Sequence, residues 1–482
     1  MTPGRATLLL VLGLGACRET TAPSVARQAQ LKSLTMGFSK AVLPANASVP
    51  VYPVVEYALG GWGDLCLSWS SSDSAVVSLS SATGCGQTSI TVNTLKAGNA
   101  TLTVSYRDKT ATAVVTVTPS VRFASVSRSL YTVCGLSTGG AAYCWATGYL
   151  GSNAQLGIDT TTDDCDACAG VPRPVAGGLV FAALTQTLVA TCATTPAGVP
   201  YCWGPGYGPA PARVPTDLAF TTISGGTGHV CGLTADGGAY CWGENSGGQL
   251  GDGTLDSSAV PVHVAGGLHF AAISAGGTHT CGVAIGGDAY CWGDNYNGLL
   301  GTGNTAPSTV PARVAGNLRF VSLAAGSMTT CGLVSDGSAY CWGDNEWGEL
   351  GVQTPRDTTC GYYAQCARTP VAVSGAQTFR LLDVIGTSTC GITEAGAAYC
   401  WGAMYRAAAA YAPACSDGSC GLGPIGPIGP SQVVPTPTRL AGSTLFAATG
   451  GSGGCWMGLD GRAYCWSQSL DHAPAVVPGQ DL

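Results

Sequence analysis

One cysteine spacing recurs seven times and limits what this chain can fold into. Cys134 and Cys144, Cys192 and Cys202, Cys231 and Cys241, Cys281 and Cys291, Cys331 and Cys341, Cys390 and Cys400, and Cys455 and Cys465 each stand ten residues apart. In the fourth pair, Cys281-Gly-Val-Ala-Ile-Gly-Gly-Asp-Ala-Tyr-Cys291 is followed by Trp292-Gly293. Two short apolar runs around a glycine turn predict a β-hairpin. The turn centres near residue 286, which sets the two cysteines opposite one another. A facing non-hydrogen-bonded pair has Cα atoms about 4.5–5.5 Å apart, within disulfide range. A bridge closing so short a loop is worth about 2–3 kcal/mol.

Around each hairpin lie two more strand-like runs. Upstream is an alternating segment (270–273, 320–323), and downstream a Val-Pro segment (260–264, 310–314). Cys231, Cys281 and Cys331 are spaced 50 residues apart, which is the period of a propeller blade. Composition agrees. Of 482 residues, 71 are Gly and only 10% are charged, and no long stretch is apolar at spacings of 3, 4 and 7. Many short strands are expected, with little helix. A net charge of −7 offers no basic stripe for a phosphate backbone, so nucleic acid is not an expected partner. Beyond the N-terminus no apolar run is long enough to span a bilayer.

The N-terminus has the parts of a secretory signal: Arg5, an apolar run over 6–14, then small residues. Its ending, Leu14-Gly15-Ala16-Cys17, resembles a bacterial lipobox, which implies that Cys17 carries a lipid. An ordinary signal with a coincidental cysteine is the alternative. Arg18, in place of the Asp that retains enterobacterial lipoproteins at the inner membrane, favours the outer membrane or cell surface. Residues 1–16 are thus expected to be the signal peptide and 17–29 the lipidated Cys with a polar tether. The lipid is the only expected membrane contact.

Setting Cys17 aside leaves 22 cysteines, an even number in an exported chain. Besides the seven repeated pairs they sort as Cys66 with Cys85, Cys165 with Cys168, Cys360 with Cys366 and Cys415 with Cys420. Zinc at Cys165 and Cys168 is an alternative, but no second Cys or His pair lies near.

The repeats resemble RCC1 repeats, whose pattern runs Gly-x-x-His, Asp-Gly, Trp-Gly-x-Asn and Gly-x-Leu-Gly. The best matches are 225–251, 276–301 and 326–351, and Trp242-Gly-Glu-Asn-Ser-Gly-Gly-Gln-Leu-Gly251 is close to ideal. Repeats one, two, six and seven are degraded, and only His229 and His279 keep the histidine. The resemblance covers about 121–482 and implies a seven-bladed β-propeller over 120–482. The final Ala473-Pro-Ala-Val-Val-Pro478 resembles a Val-Pro strand and is expected to complete the first blade, removing exposed edges. Before Pro119, Leu67-Ser-Trp-Ser and Leu95-Lys-Ala-Gly-Asn-Ala resemble a bacterial immunoglobulin-like domain of the Big-2 kind. Residues 30–119 are therefore expected to be a small immunoglobulin-like β-sandwich acting as a spacer. The fold class is all-β.

A search for chemistry finds little. Five histidines carry no metalloprotease motif, and neither Gly-x-Ser-x-Gly nor a phosphate loop is present. Asp236 and Asp336 fall in the hairpin turn and suit its geometry. No catalytic residue, metal site or cofactor is expected. A propeller enzyme of hydrolase or lyase type remains the alternative, and it predicts carboxylates or histidines converging at the central channel. Nucleotide exchange on a small GTPase, as in eukaryotic RCC1, conflicts with export.

One positive signal remains. Tyr149, Tyr207, Tyr296 and Tyr405 each stand five residues after the second cysteine of a pair, and Trp347 stands six after. Tyr362, Tyr363 and Tyr411 lie on insertions at 354–370 and 403–437; a third insertion occupies 158–172. Each insertion carries its own Cys pair, which stiffens the loop. Aromatic side chains on a rigid face are what protein-binding surfaces use. A bacterial RCC1-like propeller that inhibits β-lactamase also binds through aromatic loops on one face, an analogy of fold alone. The expected function is capture of a protein or glycan by a monomeric, lipid-anchored propeller.

Overall fold

The computed structural model describes residues 31–57, 66–85, 89–129, 132–146, 156–158, 170–352, 360, 365–404, 415–416, 419–420, 432–440, 444–449, 455–465 and 475–480. The expected signal peptide, Cys17, the tether, Cys165 and Cys168 lie outside them. From Phe123 onward the chain forms seven successive four-stranded sheets, each with its strands in sequence order. In the fourth they are Phe270–Ala275, His279–Ala284, Ala289–Gly293 and Ser308–Arg313, all antiparallel. First strands pack beside first strands from sheet to sheet, while the Val-Pro strand lies outermost. This is a β-propeller, and its class is all-β.

The middle two strands are the cysteine hairpin. All seven repeated bridges form: Cys134 to Cys144, Cys192 to Cys202, Cys231 to Cys241, Cys281 to Cys291, Cys331 to Cys341, Cys390 to Cys400 and Cys455 to Cys465. In each the two cysteines are register partners, as the hairpin spacing predicts. Their Cα atoms stand 4.0–4.1 Å apart, which corrects the wider separation expected for a facing pair. The bridge draws the two strands together at that point. Cys360 and Cys366 are also bridged. Cys66 faces Cys85 and is disulfide-bonded, and Cys415 faces Cys420.

Strand alternation gives each sheet two different faces. One carries the disulfide with small or branched residues, as in Cys231, Leu233, Ala239 and Cys241. The other carries Phe, Tyr and Trp, as in Phe270, Tyr290 and Trp292. The disulfide face of one sheet packs on the aromatic face of the next in a single apolar cluster. Phe270 meets Trp292 with centroids 5.7 Å apart and Tyr290 edge-on at 6.5 Å. The same ring lies on Gly282, where a Cβ atom would come within 2.5 Å of it, so residue 282 has no room for a side chain.

The ring closes by the same packing. Cys455, Met457 and Ala463 of the seventh sheet cluster with Phe123, Val126 and Trp145 of the first. The Val121 N–H donates to the Gly479 carbonyl at 2.9 Å. The C-terminal strand does not complete the first sheet, contrary to the sequence expectation. Val476 and Ala475 pair with Tyr464 and Cys465 of the seventh, and the first receives Arg173–Pro174 from its own repeat. Side-chain burial closes the ring without strand exchange.

Residues 31–118 form a five-stranded, a three-stranded and a two-stranded sheet over one core that includes Leu34, Leu67, Trp69, Val92 and Leu102. Val171, from the first repeat's connector, joins that core, and Gly479 lies against Pro44. The N-terminal unit is thus seated on the first sheet and the C-terminal segment.

Polar groups inside the ring are linked from sheet to sheet. The Thr280 hydroxyl donates to the Gln249 carbonyl at 2.8 Å, so it accepts from His229 Nε2–H, also at 2.8 Å. His279, Thr330 and the Leu299 carbonyl repeat this relay one sheet on. Burial pushes His229 down to about 3 and His279 to about 4, against an ordinary 6.5. As pH falls below 6.5 the unfolded chain takes up protons at these positions and the native ring does not. Their contribution is therefore full above 6.5 and is lost toward pH 4 and 3. A His229→Gln/His279→Gln variant keeps a donor for each threonine without titrating there. Its thermal midpoint should rise relative to the unsubstituted protein as pH falls from 7 to 4.5. A pH-independent difference would contradict the relay.

Candidate functional site

The first and third strands of each sheet run in the same direction, so the first turn and the connector after Trp-Gly emerge on one face. They are stitched there by backbone bonds. Glu244 N–H donates to Gly228 O at 2.9 Å, Asp294 to Thr278 at 2.9 Å, and Asp344 to Met328 at 2.8 Å. Neighbouring turns are joined as well: Leu188 N–H to Thr227 O, Thr227 to Gly276 and Gly277 to Gly326, at 2.8–3.0 Å. The second to fifth sheets therefore share a continuous backbone-bonded rim.

The connectors of the third, fourth and fifth sheets are each folded around a buried asparagine. Asn245 Oδ1 accepts from Leu250 N–H at 2.9 Å, and its Nδ2 donates to the Asp256 carbonyl at 3.0 Å. Asn295 and Asn345 accept from Leu300 and Leu350 in the same way. The leucine plugs the groove to the next sheet, and the preceding carbonyl accepts from that sheet's tryptophan: Trp292 to Gln249 O, Trp342 to Leu299 O and Trp401 to Glu349 O. The third and fourth connectors are held in this way without a disulfide of their own, while the fifth also carries Cys360–Cys366. The Trp-Gly-x-Asn motif carried the signal, but its role as a loop organiser was not legible from the spacing.

Three of the eight aromatic residues predicted to bind are described. Tyr296 is 41% exposed on the fourth connector, with its N–H on Asp294 Oδ1. Trp347 is half-buried on the fifth, its N–H held by Glu349 Oε2 at 2.8 Å. Tyr207 is half-buried in the tight turn of the second sheet and packs toward the third. They share a face but are spread over three sheets. Tyr149, Tyr362, Tyr363, Tyr405 and Tyr411 lie outside the described residues.

The first turns add apolar surface that the sequence reading missed. Leu188 is 38% exposed, Val189 42% and Met328 47%. Carboxylates share this face at Glu244, Asp294 and Glu346, and two more are buried. Burial raises Asp344 and pushes Glu349 up to about 7. The opposite face carries the hairpin turns, where Asp236 and Asp336 accept N–H groups of Gly238 and Ser338 as expected of turn residues. There Asp288 pairs with Arg313 and Arg319.

On the channel side, Asp383 is the one carboxylate among the described residues of the seven first strands. It is buried, is pushed up to about 7 by that burial, and accepts from the Trp456 indole at 3.2 Å. His229 and His279 are used in the relays between sheets. Among the described residues no group of His, Cys, Asp or Glu is arranged to hold a metal ion.

Residues 236–283 and 286–333 match the model of the Regulator of chromosome condensation (RCC1) repeat, and 220–249, 270–299 and 320–348 match a second RCC1 repeat model. Among solved structures, Prp20p from Saccharomyces cerevisiae is similar at 21% identity over 66% of this chain and 76% of its own, with a TM-score of 0.53. The same yeast RCC1 protein bound to Kap60 gives 21%, 66%, 74% and 0.54. Human WBSCR16 is similar at 16% identity over 64% of this chain and 84% of its own, with a TM-score of 0.51. At these identities the likeness is one of fold. No curated protein matches the sequence.

Glu349 occupies the position that Gln249 holds in the third connector, and both side chains accept the N–H two residues before. A carboxyl raised to about 7 from 4.5 favours the folded state while protonated, and that contribution fades as pH rises through 7. Glu349→Gln should therefore raise the thermal midpoint by a few degrees at pH 8 and leave it nearly unchanged at pH 5. Calorimetry at the two pH values distinguishes this from a uniform shift.

Proposed function

We propose that this chain is an exported, lipid-anchored binding protein whose propeller captures a protein or glycan on its connector rim. The observation that carries the reading is the combination at that rim: exposed Tyr296, Met328, Leu188 and Val189, with half-buried Trp347, on a frame locked by backbone bonds and buried asparagines. Apolar and aromatic groups held rigid before binding lose little entropy when a partner arrives. Prp20p, whose fold is similar, has been studied for its binding to Gsp1p and histones, so a scaffold of this kind supports protein capture.

Export rests on chemistry. Seven disulfides buried in the interfaces suit an oxidising compartment, and the leader with Cys17 supplies a route and an anchor. We read the seven sheets as seven blades over 120–482 and residues 30–119 as an immunoglobulin-like domain. Its seat against the first blade makes it a base for the ring as well as a spacer. Monomeric capture is part of the same reading.

The test is to immobilise the full chain, identify bound extracellular proteins and arrayed glycans, and repeat with Tyr296→Ala/Trp347→Ala. The double variant should lose at least about tenfold in affinity, equivalent to 1.4 kcal/mol, with its disulfides and thermal midpoint retained. Capture at unchanged affinity would sink the rim as the binding surface.

A further inference from the structure

The interface between the second and third sheets departs from its neighbours at three linked positions. At the next two interfaces a histidine, a threonine and a connector carbonyl form the relay. Here Ala190 stands in the histidine's place and Val230 in the threonine's. The connector is cut to one turn, with Tyr207 N–H on Gly204 O, and the fourth strand begins at Gly208. With no connector there is no leucine plug and no carbonyl for Trp242. Tyr207 packs against the cluster that holds Trp242 instead, and burial pushes its phenol up.

These changes leave an open cleft of about 340 Å³ on the rim. Val189 presents its exposed apolar wall, with Ala190 and Val230 nearly buried behind it, and half-buried Tyr207 and exposed Glu244 also line it. Among the described residues that line it, Glu244 alone is charged. Its carboxylate lies against Gly228, whose missing side chain leaves it room. The volume is at the small end for a ligand pocket.

We infer that this cleft receives a lysine or arginine side chain of the captured partner. The inference rests on the reading of the rim as a capture surface and names the chemistry of one anchor. An extended aliphatic stem matches the apolar surface, and a cationic head meets Glu244 and the Tyr207 ring. Charge complementarity points the same way, since Asp294 and Glu346 continue the acidic rim and the chain carries −7 overall.

The experiment uses the full chain with ¹³C-labelled valine methyls, following Val189 and Val230 by NMR. The probes are Nα-acetyl-lysine-methylamide, its norleucine counterpart and methyl glucoside. The lysine probe should shift both methyl signals and bind about tenfold more tightly than norleucine, a difference of 1.4 kcal/mol. Glu244→Gln should abolish that margin and Tyr207→Ala should weaken both amides. Equal binding of the two amides, a lysine probe indifferent to Glu244→Gln, or response to the glucoside alone overturns the inference. Loss of partner capture in the Tyr296/Trp347 variant with no lysine response sinks the cleft and spares the rim. The reverse pattern spares the cleft and sinks the rim.

Discussion

The structure depends on the contact between the disulfide face of one sheet and the aromatic face of the next. Each sheet is too small to bury its own surface, so its two faces must be covered by neighbours of opposite kind. Cys231–Cys241 needs Phe270 and Trp292, just as Cys455–Cys465 needs Phe123 and Trp145. A directional contact of this kind recurs at every interface. A strand exchanged between the ends is then unnecessary, because the seventh disulfide face meets the first aromatic face as any other pair meets.

Much of this was legible because it repeats. The cysteine spacing predicted the hairpin and its bridge, and Tyr-Cys-Trp-Gly marked the third strand. What the sequence could not convey was which face each residue takes. Phe270 reads as one apolar residue in an alternating strand, yet its ring fixes Gly282 and packs on Trp292. The ring closure was misread for a related reason. Ala473-Pro-Ala-Val-Val-Pro478 looks like every other Val-Pro strand, and the pattern of a strand does not say which edge it joins.

The candidate site was legible in part. The position five or six residues after the second cysteine does fall on the rim, as Tyr296 and Trp347 show. Equal spacing did not mean equal environment. Tyr207 has the same offset as Tyr296 but follows a connector that has been deleted, so it packs beside Trp242 while Tyr296 points outward. Leu188, Val189 and Met328 escaped notice because they lie on the first turns, which come next to the connectors only once the sheets are formed.

Ala190 and Val230 explain why variation settles on this rim. The buried relay is a unit: a threonine hydroxyl with no carbonyl to receive its hydrogen, or a histidine with no hydroxyl, would be an unpaired polar group costing roughly 1–3 kcal/mol. When the second connector is shortened, the threonine and histidine positions are apolar too. At the second connector the shortening thus goes with residues on two sheets, and the third sheet's Glu244 is left facing the space so made. Inside the ring, the Phe, Tyr and paired Cys positions recur in all seven sheets. At the rim, a change in connector length opens a groove without disturbing them. A scaffold built in this way separates the residues that hold the ring from those free to determine what it binds.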